Sequence, residues 1–419
     1  MPLTLTSDER AMLGGEAAGA NAMAMRILVS AAELLGAEEL VPVTSAHIDG
    51  CLHHGDGGVE FAERLVAGGG RVAVPTTLNV GALDLLHPEN VRADAHKADM
   101  ARRQMDAYVS MGAEPTFTCA PYQVGHLPDV GEQVAWGESN AIAFVNSVLG
   151  ARTERYGDFL DACCALTARA PLHGLHIGRN RRAKVVIDAT RVPPSLKRRD
   201  VFYPVLGTWL GLEVGREVAA IVGLPSTVSR DQLKALGAAA ASTGAVALFH
   251  VVGVTPEADT IEDATQGDMP TQMITLTADM LRGSLARLST AEGSELHAIA
   301  VGSPHFSIEE FEALSELVDG RRFSLPFYAC TARATLQELE DAGRAGPLRD
   351  AGVEIIADTC VVVTPILPEE GGVLMTNSGK FAHYGPANTG YDVVYGSLED
   401  CVDSAVAGRV TRNELVWAW

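Results

Sequence analysis

This chain has few aromatic residues and no long hydrophobic run. Phe, Trp and Tyr make up 5% of its 419 residues, and no apolar stretch reaches the roughly 18–20 residues that a helix needs to cross a bilayer. The amino-terminal segment lacks the basic start and the apolar centre of a secretory signal peptide. We therefore expect a cytoplasmic protein that does not act on or in a membrane.

Basic residues are also scarce. The chain has 32 Lys and Arg against 53 Asp and Glu, which gives a formal net charge of −21. Proteins that bind nucleic acid or anionic membranes do so through clustered Lys and Arg, because the phosphates must be neutralised. The charge therefore argues against both partners, but it leaves a locally positive site for a small acid open.

The seven cysteines show no CxxC spacing and are odd in number. A disulfide framework is therefore not expected. Dispersed cysteines in a cytoplasmic chain are either core residues or ligands that the fold brings together. We interpret Cys163, Cys164 and Cys401 as core residues and leave Cys330 open.

Several catalytic motifs are missing. The sequence has no HExxH, no GxSxG, no GxxxxGK[ST], and no GxGxxG after its first predicted strand. These absences argue against a metalloprotease, a serine hydrolase, a P-loop nucleotide enzyme and a dinucleotide dehydrogenase. A zinc hydrolase of another type stays a weaker alternative.

What the sequence does contain is a repeated strand–loop–helix alternation, which predicts an α/β fold of two to three lobes. Residues 1–419 form one catalytic region in this interpretation, with lobes at about 1–184 and 226–419 and a looser insert at 185–225. Among the predicted strands are Arg71–Pro75 and Pro115–Thr118.

Unusual polar residues cluster where predicted strands end. Ligands of open α/β sheets bind beyond the carboxyl ends of the strands, so the sequence predicts that these loops converge on one cleft. The loops are 44–51, 76–79, 118–122, 302–305, 358–360 and 378–384.

Three cysteines stand in or beside these loops. Cys119 and Cys360 each follow a threonine, and Cys51 lies in a loop rich in Gly and His. Thiolates are soft ligands that select zinc, copper or iron–sulfur clusters. Their spacing is equally compatible with three buried core cysteines.

Other side chains in these loops suit acid–base and anion chemistry. Ser139 and Asn140 open a predicted helix whose amides could hold an anion, and Lys380 could clamp a carboxylate or a phosphate. His305 or Ser303 could take part in proton transfer.

Five segments together resemble the aconitase X family. They are TCAPY (118–122), GESNAIAFVNSVLGARTERYGD (137–158), GSPHFS (302–307), ADTC (357–360) and SGKFAHYGP (378–386). The resemblance implies an aconitase-like assembly of α/β lobes around a strand-end cleft. It also implies an iron–sulfur hydro-lyase that dehydrates a small hydroxy acid, either cis-3-hydroxy-L-proline or mevalonate 5-phosphate.

The resemblance also assigns metal ligands. Cys119 and Cys360 match the cluster cysteines of the family, whereas Ser303 stands where a third cysteine is common. The forms GSPHF and HIDGC look like the bacterial hydroxyproline branch, which is associated with a two-iron cluster (2Fe-2S). We therefore expect Cys51 to supply the third thiolate.

A second departure from the family pattern is the apparent absence of the small swivelling domain that completes the cleft in aconitase-type enzymes. The large lobes leave little room for it in 419 residues. We expect the chain to act as a large subunit, with the small swivel domain as a separate subunit.

The expected reaction removes water from cis-3-hydroxy-L-proline to give pyrroline-2-carboxylate, with the cluster as Lewis acid. The expected catalytic residues are His47, His305 and Ser303, and the base could lie on the small subunit. The expected substrate-binding residues are Ser45, Thr77, Asn79, Ser139, Asn140 and Lys380.

Two alternatives stay open. Mevalonate 5-phosphate would need a basic pocket, which Arg152, Arg155 and Lys380 could form. A non-catalytic protein that kept the fold would bind a metal or a ligand without turnover.

Overall fold

The structure is a computed structural model that describes residues 2–15, 19–368 and 371–417. Contacts between Cα atoms divide the chain into two units. The first unit contains residues 1–83 and 93–182, and the second contains residues 84–92 and 183–419. The family-like segments are thus shared between two bodies, each with its own sheets.

The first unit is built on short strands. A parallel sheet has the order β3-β2-β4, and β1 pairs with β5 in an antiparallel ladder. The strands are β1 Leu40–Pro42, β2 Ala46–Ile48, β3 Thr76–Leu78, β4 Ala135–Trp136 and β5 Arg169–Pro171. The α-helices are α1 Ser7–Leu13, α2 Gly19–Leu35, α3 Asp56–Ala67, α4 Ala95–Ser110, α5 Ser139–Phe144 and α6 Leu160–Thr167.

Local sequence explains where several of these helices begin. A capping box is present at α1, where Thr6 accepts a hydrogen bond from the Glu9 amide and the Glu9 carboxylate accepts one from the Thr6 amide. Asp94 caps α4 through the amide of Lys97. After α5 the chain continues as one π-helical turn, Val145–Leu149, so the helix predicted to open at Ser139 and Asn140 is present.

The second unit carries two parallel sheets, ordered β8-β7-β6-β9 and β12-β11-β10-β13-β14. Its strands are β6 Val185–Asp188, β7 Ala219–Val222, β8 Phe249–Val251, β9 Gln272–Thr275, β10 Ala298–Phe306, β11 Phe327–Thr331, β12 Val353–Ala357, β13 Gly372–Thr376 and β14 Tyr391–Tyr395. Its α-helices are α7 Pro194–Lys197, α8 Phe202–Val214, α9 Arg230–Gly244, α10 Ile261–Thr265, α11 Ala278–Arg287, α12 Ile308–Val318, α13 Arg333–Asp341, α14 Ala345–Ala351, α15 Gly379–Thr389 and α16 Leu398–Ala407.

The α/β prediction is confirmed, and parallel strands that alternate with helices explain it. All nine residues of β10 are buried, because a central parallel strand is covered by helices on both faces. Apolar side chains from β10, β11 and β12 pack with those of α12 and α16 in one hydrophobic core.

Several predicted element boundaries are wrong. Residues 71–75 and 115–118 contain no strand, and the strand in the first region is β3, directly after Pro75. The GSPHF segment is not a loop, since it lies inside β10. Residues 185–225 are not a loose insert, because β6, α8 and β7 lie there.

No helix within residues 2–15, 19–368 and 371–417 combines the length and the apolar character that a membrane crossing requires. This finding agrees with the absence of a long hydrophobic run in the sequence.

Candidate active site

The structure distributes the predicted site residues over both units. The first unit holds Ser45, His47, Cys51, Thr77, Asn79, Cys119, Ser139 and Asn140, and the second holds Ser303, His305, Cys360 and Lys380. The two groups are therefore described separately. The convergence of all six loops on one cleft stays a prediction.

Strand register places His47 at the centre of the first group. In the parallel sheet, His47 on β2 pairs with Thr77 on β3 and with Trp136 on β4. Residues that pair across a ladder point to the same face. His47 Nδ1 lies 2.9 Å from Thr77 Oγ1, and the His47 and Trp136 ring centroids are 5.7 Å apart.

A second histidine, which the sequence interpretation missed, completes this arrangement. His126 Nδ1 lies 2.8 Å from Thr77 Oγ1, and its ring packs 4.7 Å from that of Trp136. Gly125 makes the approach possible, because it ends the short helix Pro121–Val124 with a φ of 92°, a conformation that favours glycine. The Gly125-His126 pair in a strand-end loop was the only signal available in the sequence.

Several buried polar atoms of the first unit have no hydrogen-bond partner. They include Ser45 Oγ, His47 Nε2, Asn79 Oδ1, His126 Nε2, Trp136 Nε1 and Asn140 Oδ1. An unpaired buried polar atom costs about 1–3 kcal/mol, so such atoms are rare in native proteins. Their concentration on and next to one small sheet is the pattern expected of a site that binds a polar ligand or water.

Burial keeps both histidines neutral near physiological pH. It lowers the pKa of His47 well below its ordinary value, with a further contribution from His126. Burial also lowers the pKa of His126 to about 4. A neutral imidazole carries one N–H donor and one acceptor nitrogen, so each ring can take up a proton at one nitrogen and give one up at the other.

Asn140 fixes the loop that carries Cys119. Its Nδ2 donates to the Cys119 carbonyl and to the Tyr122 phenol oxygen, both at 3.0 Å. The unpartnered atom, Oδ1, is an acceptor and cannot bind a carboxylate. Asn140 is therefore suited to a hydroxyl or an ammonium group of a substrate, rather than to the carboxylate that we expected.

The predicted anion site at the start of α5 is already filled. Glu138 is the N-cap residue, and its Oε2 accepts a hydrogen bond of 2.7 Å from the Ala141 amide. Ser139 Oγ donates to Oε1 of the same carboxylate at 3.2 Å. A substrate carboxylate at this helix end would meet a carboxylate of the protein, so the geometry argues against Ser139 as its donor.

A pair of carboxylates that the sequence interpretation also missed, Asp49 and Asp161, lies beside Asn79. Asn79 Nδ2 donates to Asp49, whose amide donates to Asp161 Oδ2 at 2.6 Å. Burial, followed by the charge of Glu138, raises the pKa of Asp49 to about 8. Burial raises the pKa of Asp161 to about 6.

The surroundings of Cys51 argue against its predicted role as a thiolate ligand. Its Sγ donates to the Asn79 carbonyl at 3.0 Å and faces the carbonyls of Ile48 and Val80 at 3.7 Å. Burial and the nearby carboxylate of Asp49 raise the pKa of this thiol. Three carbonyl oxygens would repel a thiolate and do not leave Sγ directed at a metal.

In the second unit, the side chain of His305 forms a hydrogen bond with the backbone. It is fully buried on β10, and its Nε2 donates to the Thr359 carbonyl at 3.0 Å. Burial lowers its pKa to about 4. Because this nitrogen holds the residue before Cys360, the arrangement favours a role in positioning the Cys360 loop over a role in proton transfer.

The Cys360 loop is held at a second point. Asp358 has a φ of 62° and is fully buried, and its two carboxylate oxygens accept hydrogen bonds of 2.7 and 2.6 Å from Arg333. Bidentate pairs of this kind fix geometry as well as charge. Two independent anchors thus set the position of the Cys360 backbone.

Ser303 lines a pocket within the second unit. The pocket has an empty volume of about 320 Å³ and is bordered by residues of β10, of α9 and of the start of α15. Ser378 Oγ donates to the Ser303 carbonyl. The buried Lys234 also lines the pocket and donates to the His305 carbonyl at 3.1 Å.

The buried Lys234 forms an ion triad with two partly exposed carboxylates beside this pocket. Lys234 contacts Asp231 at 2.8 Å and also contacts Glu310. Burial alone would lower the pKa of Lys234, but the carboxylates of Glu310 and Asp231 outweigh that effect and raise it. Burial raises the pKa of Glu310 to about 7 although Lys234 acts in the opposite direction.

Lys380 does not lie in a loop, as we expected, but in the first turn of α15. Ser378 caps this helix by accepting a hydrogen bond of 3.0 Å from the Phe381 amide. A serine at that position satisfies an otherwise unpaired amide and begins the helix. The side chain of Lys380 is half-buried.

The thiols provide an incomplete ligand set. Cys119 and Cys360 are both buried, one in each unit. Across residues 2–15, 19–368 and 371–417, no three His, Cys, Asp or Glu side chains are arranged to hold a metal ion. Cys119 and Cys360 are thus suitable in type and burial, whereas the hydrogen bonds of Cys51 argue against it as the third ligand.

Comparison with known proteins covers almost the whole chain. Residues 2–179 match the family described as aconitase X first domain, residues 183–286 match the second domain, and residues 296–407 match the third. The crystal structure of Thermococcus kodakaraensis aconitase X in its holo form is similar, with a TM-score of 0.86 and 32% identity. It covers 96% of this chain and 100% of that one.

Among curated proteins, the cis-3-hydroxy-L-proline dehydratase of Pseudomonas aeruginosa is 40% identical over 99% of this chain and 72% of its own length. The protein of the same name from Hypocrea jecorina is 41% identical over 97% of this chain and 69% of its own length. The phosphomevalonate dehydratase large subunit of Methanosarcina mazei is 35% identical over 97% of this chain and 98% of its own length.

Proposed function

Because the chain belongs to the aconitase X family, we propose that it is a hydro-lyase that dehydrates cis-3-hydroxy-L-proline to pyrroline-2-carboxylate. The observation that carries this choice of substrate is the 40% identity with the Pseudomonas aeruginosa dehydratase along 99% of the chain. The group of unpartnered buried atoms around His47 supports a site for a small polar molecule.

In this proposal, polar side chains of the first unit bind and orient the substrate. Asn140 Oδ1 and Asn79 Oδ1 accept hydrogen bonds from its ammonium or hydroxyl group, and Ser45 Oγ can donate one. His47 receives the proton that leaves the α-carbon, through its unpartnered Nε2. The β-hydroxyl leaves as hydroxide and becomes water by taking one proton from solvent, which replaces the proton that His47 removes, so that atoms and charge balance.

We further propose an iron–sulfur cluster of the two-iron type as cofactor, with Cys119 and Cys360 among its ligands. When bound, the cluster would supply a Lewis acid for the leaving hydroxyl. His305 and Asp358 support this assignment indirectly, because both fix the backbone next to Cys360. Cys51 is left out of the ligand set, since its thiol donates to a backbone carbonyl.

Metal analysis tests this assignment of ligands. Purified under nitrogen, Cys119→Ser and Cys360→Ser should lose iron and visible absorbance, whereas Cys51→Ser should keep both. Full iron in Cys119→Ser, or its loss in Cys51→Ser, would overturn the ligand set without touching the choice of substrate.

A separate small-domain chain is the proposed partner. The support comes from the Methanosarcina mazei relative, which is named a large subunit and which this chain matches over 98% of its length. Two residues near the start of α15 are proposed to complete the substrate site of the assembled enzyme. Lys380 lies in the first turn of this helix, and the carbonyl of Ser303 accepts a hydrogen bond from its capping residue, Ser378.

Mevalonate 5-phosphate is the second candidate substrate. The relative named phosphomevalonate dehydratase favours it, as does Arg152, whose buried Nε has no hydrogen-bond partner. Incubation of the full chain with both compounds, with and without a small-domain partner, separates the candidates. Turnover of hydroxyproline alone is expected, turnover of the phosphate alone contradicts the first choice, and binding without turnover of either contradicts both.

A further inference from the structure

The hydroxyl of Thr77 contacts both His47 and His126. His47 Nδ1 and His126 Nδ1 lie 2.9 and 2.8 Å from the same Oγ1. Thr77 is 5% exposed, so water does not compete freely for its hydroxyl. We had expected Thr77 to orient the substrate, but its hydroxyl already makes two hydrogen bonds within the protein.

The hydroxyl can satisfy both rings in only one way that leaves no proton unpaired. It donates its single proton to one Nδ1 and accepts a proton from the other. If both rings donated to Oγ1, the hydroxyl proton would be buried without an acceptor, at a cost of about 1–3 kcal/mol. The two neutral rings therefore take opposite tautomers.

Opposite tautomers give the two ends of the hydrogen-bonded series His47–Thr77–His126 opposite properties. The ring that donates from Nδ1 has a bare lone pair at Nε2, and the ring that accepts at Nδ1 carries a proton at Nε2. Both Nε2 atoms are buried and lack a partner in the structure. One end is therefore ready to accept a proton while the other is ready to release one.

We propose that His47, Thr77 and His126 form a proton relay that carries the substrate's α-proton away from the buried end of the site. This inference rests on the proposed function and deepens it. His47 is fully buried, whereas His126 lies on a half-buried loop, so the relay leads outward.

Each proton in the relay has a donor and an acceptor. Nε2 of His47 takes the proton from the substrate, and its Nδ1 proton passes to Thr77 Oγ1. The Thr77 proton passes to Nδ1 of His126, which releases its own Nε2 proton to a water molecule bound at that buried nitrogen. Both rings exchange tautomer, and no imidazolium has to form where burial disfavours it.

Three substitutions separate a relay from a structural contact. Thr77→Val keeps the shape and removes the hydroxyl, whereas Thr77→Ser keeps the hydroxyl. His126→Asn keeps an amide near the position of Nδ1, so it preserves the bond to Thr77 but cannot pass a proton onward. Thermal unfolding of each variant identifies any that fail to fold.

The kinetic arm uses the full chain in the form that turns over hydroxyproline. Thr77→Val and His126→Asn should lower kcat by about 100-fold, the scale of general acid–base catalysis, with KM changed much less. Thr77→Ser should stay within about 3-fold of the wild type, because it retains the hydroxyl. A folded His126→Asn with wild-type kcat would show that the contact is only structural and would overturn the relay.

The spectroscopic arm does not depend on any substrate. Side-chain nitrogen NMR of ¹⁵N-histidine-labelled full chain reports which ring nitrogen carries the proton, and His47→Asn and His126→Asn assign the two signals. Opposite tautomers are expected in the wild type and in Thr77→Ser, and their loss is expected in Thr77→Val. The same tautomer for both rings in the wild type would overturn the relay, and inactivity towards hydroxyproline would instead count against the proposed function.

Discussion

His47 and His305 were both predicted to handle protons, and the structure gives them different environments. Both are fully buried, and burial lowers the pKa of both. His47 keeps Nε2 without a partner and contacts a hydroxyl through Nδ1. His305 uses its Nε2 to hold a backbone carbonyl. The hydrogen-bond partners of a buried histidine, rather than its burial, indicate whether it is available for chemistry.

The largest expected effect is that of His47→Asn on catalysis. The variant removes the proposed proton acceptor but keeps an amide near the position of Nδ1, so the contact with Thr77 can survive. We expect kcat to fall by about 100- to 10,000-fold, with little change in the free energy of unfolding. Steady-state kinetics together with urea unfolding measure both, and a kcat within a few-fold of wild type would remove His47 from the mechanism.

Next in size is the effect of Lys234→Met on stability. Lys234 is almost fully buried and contacts Asp231 and Glu310. Removal of one partner from a fully buried ion pair costs about 3–5 kcal/mol, and because the side chains of Asp231 and Glu310 are 24% and 22% exposed, we expect a loss below that range. Urea unfolding should show this loss, and a second change, Glu310→Gln, should recover part of it. An unchanged midpoint in Lys234→Met would mean that the triad does not support the His305 segment.

The pH dependence of stability gives a third prediction. The pKa of Glu310 is raised from 4.5 to about 7 in the folded chain. The unfolded chain therefore loses this proton first, and the stabilisation is full below pH 4.5 and lost as the pH rises through 7. The loss is at most about 1.4 kcal/mol for each unit of pKa difference. Glu310→Gln should reduce the change in the free energy of unfolding between pH 4.5 and 7. If that pH dependence is the same as in the wild type, the assignment to Glu310 is contradicted.

A smaller effect is expected for His305. Replacement by Phe leaves the Thr359 carbonyl buried and unpaired, which costs about 1–3 kcal/mol. Replacement by Gln places an amide near the position of Nε2 and should restore most of the stability and activity. Thermal unfolding and turnover compare the two. If His305→Gln is stable but as inactive as His47→Asn, His305 acts chemically.

The smallest effect is expected for Ser139→Ala. The Glu138 carboxylate already occupies the helix start that Ser139 shares, so a substrate carboxylate has no reason to bind there. We expect KM for hydroxyproline to change by less than about 2-fold, since the lost hydrogen bond is between protein groups. A KM increase of 10-fold or more would restore Ser139 as a substrate ligand.

Much of the fold could be predicted from the sequence, because apolar strands alternate with helices that begin at recognisable caps. Thr6, Ser307 and Ser378 each cap the helix that follows. The strands of the first unit were harder to place. Two or three residues long, they carry too little periodicity to fix a register, and their positions depend on tertiary contacts.

The site could be predicted only in part, because hydrogen-bond partners are set by three-dimensional proximity. His47 and Thr77 stood out as polar residues near strand ends, and the register brings them together. His126 reaches the same hydroxyl from a loop 49 residues further on, which no local pattern reveals. The carboxylate of Glu138 at the start of α5 was visible in the sequence, but its position as the cap depends on a φ of 66°.

The most direct test of the contrast between the two histidines is to follow cis-3-hydroxy-L-proline by proton NMR with the wild type, His47→Asn and His305→Gln. We expect loss of the α-hydrogen signal and formation of pyrroline-2-carboxylate with the wild type and with His305→Gln. With folded His47→Asn we expect both to be at least about 100-fold slower. Loss of the α-hydrogen signal at the wild-type rate with His47→Asn would contradict the role of His47 as proton acceptor.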